Sequence, residues 1–157
     1  MILPQDGIAL DITLWKWLCE NLAEAACILE FGSGRGTTAL TTRWQVTSVE
    51  HDEKWVGVAP DSEYIHAPVV DNWYDHRKLQ DLNRQEWDLI LIDGPTLAIG
   101  RENLIPWAKK HPEVFSTLVV VDDHTLKGPQ QILKYFLQQG KQVIYENAGS
   151  HPWVVLK

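Results

Sequence analysis

Apolar residues recur along this chain with two different periods, and the changes of period mark its elements. Leu14, Trp15, Leu18 and Leu22 fall at i, i+1, i+4 and i+8, one face of a helix over residues 11–22 that Asp11 is placed to cap. Apolar runs of strand length then occupy residues 27–31, 45–50, 64–70, 87–92 and 117–121. Pro68 puts the third of these at a sheet edge or at its own end. Between the runs lie helix-like stretches at 36–43, 51–55 (with Asp52 suited to the cap), 78–85 and 103–110, the last stopped by His111-Pro112. Pro129 and Gly140 bracket a further helix carrying Ile132, Leu133, Phe136 and Leu137 on one face. Residues 142–145 and 152–156 flank a polar loop and read as a hairpin.

Strand and helix thus alternate five times before two strands follow close together. Alternation implies a mainly parallel sheet covered on both faces. A short terminal hairpin requires one reversed strand, because so brief a connection cannot cross over. The expectation is an α/β three-layer sandwich with a mostly parallel seven-stranded sheet and an antiparallel C-terminal strand. At 157 residues it forms one domain over 1–157, since about 100–200 residues usually make one.

The centre of this arrangement is Ile28-Leu29-Glu30-Phe31-Gly32-Ser33-Gly34-Arg35-Gly36-Thr37-Thr38, a strand, a glycine-rich turn and the start of a helix. Glycine permits positive φ and lets a ligand lie close to the main chain. Open parallel sheets bind ligands beyond the carboxyl ends of their strands. Glu30, Glu50, Asp71, Asp93 and the Asp122-Asp123 pair fall at five such ends. Glu50 is suited to accept two hydrogen bonds from a ribose diol, which points to a nucleoside-bearing cofactor. A dinucleotide turn wants glycine at its first, third and sixth positions. Counted from Gly32, the sixth position is Thr37, so that fingerprint fails.

Glu30, Gly32, Gly34 and Gly36 instead resemble, residue for residue, motif I of the class I S-adenosylmethionine-dependent methyltransferases, and the likeness in element order covers roughly residues 10–157. The resemblance implies a Rossmann-like fold and S-adenosylmethionine as cofactor. It gives Glu30 the turn and the methionine amino group, and Gly32 and Gly34 close backbone approach, with Ser33, Thr38 and His51 beside them. Glu50 matches the ribose-binding acid. Asp71, Asn72 and Trp73 lie where the family contacts adenine, and Asp93 lies near the methionine end, facing the acceptor. Asp93, Asp122 and Asp123 also resemble the acids with which catechol-type O-methyltransferases hold a divalent cation, Mg²⁺ suiting oxygen ligands. Asp123 stands where that family usually has Asn. For a hydroxyl acceptor the resemblance nominates Asp93, Asp122 and His124 as catalytic, His124 being the general base because its ordinary pKa is near neutrality.

Composition narrows the partners. The formal charge is −7 with no basic cluster, which argues against nucleic acid. No run of about 18 apolar residues suggests a membrane span, and the first residues lack the pattern of a signal peptide. Cys19 and Cys27 are too few for a disulfide framework. A cytoplasmic enzyme acting on a small-molecule or sugar acceptor, most readily at oxygen, is the reading these features give. The acceptor would be met by residues 1–10, by 94–102, by 122–128 or by a partner subunit, as in a homodimer. Two rivals stay open: an NAD- or nucleotide-dependent oxidoreductase, and a non-catalytic cofactor-binding domain acting through a partner.

Overall fold

The computed structural model describes residues 10–157; the expectation that residues 3–9 fold over the ligand lies outside them. Helix α1 (Ile12–Asn21) starts where Asp11 accepts hydrogen bonds from the N–H groups of Thr13 and Leu14, at 2.8 and 3.3 Å. It leads to β1 (Cys27–Phe31), α2 (Arg35–Leu40), β2 (Gln45–Glu50) and β3 (Glu63–His66). A two-residue ladder comes next, β4 (Val69–Val70) with β5 (Trp73–Tyr74). Then come β6 (Leu89–Ile92), α3 (Leu104–Lys110), β7 (Leu118–Asp122), α4 (Lys127–Gln138), β8 (Val143–Asn147) and β9 (Trp153–Leu156).

The main sheet has seven strands in the order β3-β2-β1-β6-β7-β9-β8. β9 runs antiparallel to both neighbours, and the pairs β1–β2, β1–β6, β2–β3 and β6–β7 are parallel. The chain after α4 overshoots to the edge as β8, then returns to fill the gap beside β7. This is the reversed strand the short hairpin demanded.

Alternation along each strand builds two cores. Ile28, Val46, Leu89, Leu91 and Val120 meet Leu18, Leu40 and Trp44 on the α1–α2 side. Leu29, Phe31, Val49, Ile90, Ile92 and Val121 meet Trp107, Ile132 and Phe136 on the α3–α4 side. Both faces of β1 and β6 are therefore apolar, which is why these strands read as unbroken runs. Trp17, rather than Trp15, enters the first core; Trp15 packs edge-on against Trp44 at its margin.

Strand register positions the functional residues. Phe31 pairs with Val49 on one side and Ile92 on the other, and Ile92 pairs with Val121. The four strand ends are level, so Gly32, Glu50, Asp93 and Asp122 stand in one row just beyond them.

Three expected elements differ. Residues 64–70 are not one strand: β3 ends at His66, and after Ala67-Pro68 the chain leaves the sheet to form the β4–β5 hairpin. Proline cannot donate to the ladder, so the strand stops there. Residues 78–85 form two 3₁₀ turns, His76–Lys78 and Leu82–Arg84, in place of a helix, because few apolar side chains there offer a face to bury. Residues 51–55 close as a turn about Asp52, whose side chain accepts from Lys54 N–H at 3.0 Å.

The β4–β5 turn places both central residues at positive φ, Asp71 at 52° and Asn72 at 65°. Two-residue hairpins of this hand favour glycine at the second position. Asn72→Gly is expected to raise stability by up to ~1 kcal/mol, read as a higher urea midpoint with an unchanged m-value.

Candidate functional site

A cleft of about 360 Å³ opens over the level strand ends, lined by the turn Gly32-Ser33-Gly34, by Glu50-His51-Asp52 and by the loop from Asp93 to Thr96. Trp55, Arg101, Asp122, Asp123, Asp11 and His151 complete it. Its size falls in the usual range for small-molecule sites, roughly 300–1,000 Å³. A second hollow, of about 370 Å³, lies among Phe115, Tyr135, Phe136 and Lys141 and contains none of the candidate residues.

The turn is fixed by contact from the side and from below. Gly32 has φ +93°, and a Cβ there would stand 2.8 Å from Gly94 Cα, so the two loops touch backbone to backbone. Gly36 serves a different purpose: a Cβ would come within 2.8 Å of Leu10 N. From below, Glu30 Oε2 accepts from Thr37 Oγ1 at 2.8 Å and from Ser48 Oγ at 2.7 Å. Thr37 Oγ1 in turn accepts from Gly34 N–H at 3.0 Å. Glu30 is 4% exposed. Burial raises its pKa to about 7, the two hydroxyls partly offset this, and Glu50 adds to it.

Glu50 closes β2 with its carboxylate drawn into backbone. Oε2 accepts from Ser33 N–H at 2.7 Å, and Oε1 from His51 and Asp52 N–H at 2.7 and 2.8 Å. These bonds tie the turn after β1 to the turn after β2 and give the anion a partner for nearly every lone pair. His51 Nδ1 lies 2.8 Å from Oε1. Beneath the floor, the Tyr74 hydroxyl is fully buried without a hydrogen-bond partner among the described residues, and burial pushes its pKa well up.

At the other end, carboxylate oxygens of Asp93, Asp122 and Asp123 all lie within 4.8 Å of one another. Asp123 has φ +55°, a conformation Asp and Asn tolerate best, which accounts for either residue at this place. Arg101 enters the trio. Its Nη2 donates to Asp93 Oδ1 at 3.1 Å, its Nη1 to Asp123 Oδ2 at 3.3 Å and its Nε to Pro95 O at 3.1 Å. The pKa values of Asp93 and Asp122 are raised, by desolvation first; Arg101 opposes this. The donor set by itself would suit a hard cation, but a positive charge already lies against two of its three members. A divalent ion does not fit this arrangement.

The cleft therefore gathers Gly32, Ser33, Gly34, Glu50, His51, Asp93, Asp122 and Asp123. Other expected residues lie elsewhere. Glu30 is under the turn, shielded from the cleft. Thr38 is exposed on α2 and does not line it. Asp71 and Asn72 occupy the hairpin turn, and Trp73 is buried against Phe31 and Tyr74 at 5.8 and 4.8 Å between ring centroids. The hairpin takes them off the strand-end row, so the adenine contact expected of them has no support from their placement. His124 is 5% exposed and turns to Glu146, its Nε2 3.5 Å from the carboxylate, outside the cleft lining. It is not positioned as a general base. Sequence pattern places Arg101 only within the 94–102 stretch expected to meet the acceptor, without singling it out, and does not mark Trp55 as a cleft residue.

No protein-family model matches the sequence, and no curated protein matches it. Solved structures do match in fold. Precorrin-6y C5,15-methyltransferase from Geobacter metallireducens superposes with a TM-score of 0.61 at 13% identity, over 99% of this chain and 92% of that one. Fibrillarin from Aeropyrum pernix, crystallised with natively bound S-adenosyl-L-methionine, gives 0.60 at 12% identity over 92% and 74%. An RNA methyltransferase from Salinibacter ruber, in complex with S-adenosyl-L-homocysteine, gives 0.54 at 14% identity over 94% and 92%. The chain has the Rossmann-like fold of S-adenosylmethionine-dependent methyltransferases. Among the described residues no helix is long and apolar enough to cross a membrane.

A carboxyl whose folded pKa lies above its unfolded value binds a proton more tightly in the folded state. Stability from Glu30 is therefore greatest below about pH 4.5 and falls as pH rises to about 7. Glu30→Gln keeps an acceptor for Thr37 and Ser48 and removes the ionisation. Its stability relative to wild type should rise by about 3 kcal/mol between those limits, measured by urea unfolding at several pH values.

Proposed function

We propose that the cleft binds S-adenosylmethionine and that the protein transfers its methyl group to a hydroxyl of a small molecule or sugar. The observation that carries this is the placement of the Glu50 carboxylate beside the Gly32-Ser33-Gly34 turn, at the level end of the adjacent strand. The backbone bonds to Glu50 leave about one lone-pair site, on Oε2, for a ribose hydroxyl, and glycine backbone leaves room for a methionine chain. His51 and Trp55 supply flat faces for a purine in place of the residues of the β4–β5 hairpin.

When bound, the cofactor supplies an electrophilic methyl carbon on a sulfonium, so the protein's share is alignment and proton removal. Asp93 stands at the row position facing the open part of the cleft, with Asp122 next to it. A hydroxyl held there would be oriented by Asp93 and Asp122, and this pair would take up its proton as the acceptor oxygen is methylated. Among the described residues, the carboxylates of Asp11, Glu50, Asp52, Asp93, Asp122 and Asp123 outnumber the single arginine of the cleft. That charge favours neutral or cationic acceptors and opposes phosphate-bearing ones, nucleic acid included.

Calorimetry with S-adenosylhomocysteine tests the reading. Wild type should bind in the micromolar range, about −8 kcal/mol. Glu50→Gln should lose roughly 1.5–3 kcal/mol, the contribution of hydrogen bonds to a charged group. Asn72→Gly should bind as wild type does. Equal affinity in Glu50→Gln and wild type would remove Glu50 from the site, and no binding by wild type would overturn the proposal.

A further inference from the structure

The acidic end of the cleft contains a tethered cation. The Arg101 side chain is 7% exposed, and its guanidinium spans Asp93 and Asp123 while also reaching the carbonyls of Pro95 and Asp122. Its backbone is held as well. The 3₁₀ turn Arg101–Asn103 lies on the start of α4, where a Cβ at Gly128 would stand 3.7 Å from Arg101 N and would collide with the Glu102 carboxylate. The guanidinium is thus anchored by the packing of its own turn.

A divalent ion shared by these acids would need their oxygens at about 2.0–2.6 Å, and the guanidinium N–H groups already occupy one carboxylate oxygen each of Asp93 and Asp123. Arginine stays charged under all ordinary conditions and carries a fork matched to carboxylates. Being part of the chain, it also competes without loss of translational freedom. We propose that Arg101 is the resident cation of this site, standing in place of a divalent metal and holding Asp93 in fixed orientation toward the acceptor. What Asp93 faces rests on the methyl-transfer reading; the competition between Arg101 and a metal ion does not.

Arg101→Gln and Arg101→Lys separate charge from structure, since both lose the bidentate fork but only the first loses the positive charge. Mn²⁺ binding, monitored by water-proton relaxation, should be about tenfold tighter or more in Arg101→Gln than in wild type, because the carboxylates of Asp93 and Asp123 are freed to act with Asp122. Arg101→Lys should bind Mn²⁺ no tighter than wild type does. Similar gains in both variants, or no gain in Arg101→Gln, would overturn the proposal. So would a Mn²⁺ site in wild type that Asp123→Asn abolishes, a measurement that needs no arginine variant to fold. S-adenosylhomocysteine calorimetry on the same wild-type sample judges the methyl-transfer reading separately.

Discussion

The level ending of four parallel strands is the constraint that creates the site. Parallel pairing sets Phe31, Val49, Ile92 and Val121 side by side, and each is buried among the aromatic and aliphatic side chains of the α3–α4 core. A slip of one residue in any of these strands would turn its apolar set to the wrong face. The core therefore fixes the register, and the register fixes the next residue of each strand. Glycine, glutamate and two aspartates arrive at one height, on one rim, without any direct interaction being needed to bring them there.

So much acid at the edge of an apolar core must be compensated, and each carboxylate is held by a different means. Glu30 takes hydroxyl hydrogen bonds from Thr37 and Ser48 and still has a raised pKa. Glu50 uses backbone N–H groups from two turns, which makes one side chain a clasp between β1 and β2. Asp93 and Asp123 use a guanidinium. These solutions give three chemical characters: a buried brace with a raised pKa, a fixed acceptor, and an acid pair beside a permanent cation.

Much of this is legible in the sequence for definable reasons. β2 is readable at its observed bounds, residues 45–50, because it is a short apolar run closed by an acid and buried almost throughout. The reversed β9 is implied by the brevity of the loop before it. The hairpin β4–β5 escapes the pattern because Val69-Val70 continues the apolar run of β3, and only the left-handed turn at Asp71-Asn72 separates them. His124 suits a general base on its ordinary pKa alone; the positive φ of Asp123 next to it and its burial toward Glu146 are features no periodicity reports.

By itself the sequence determined the layers, the reversed strand, the glycine turn and the acids at the strand ends. These are matters of local pattern, fixed by side-chain period, turn chemistry and connection length. Only the tertiary structure decided which acids share a cleft, that Trp73 belongs to the core, and that Arg101 lies against Asp93. Those depend on residues distant in the chain meeting at one edge, and the burial and charge that result belong to the meeting rather than to any one segment.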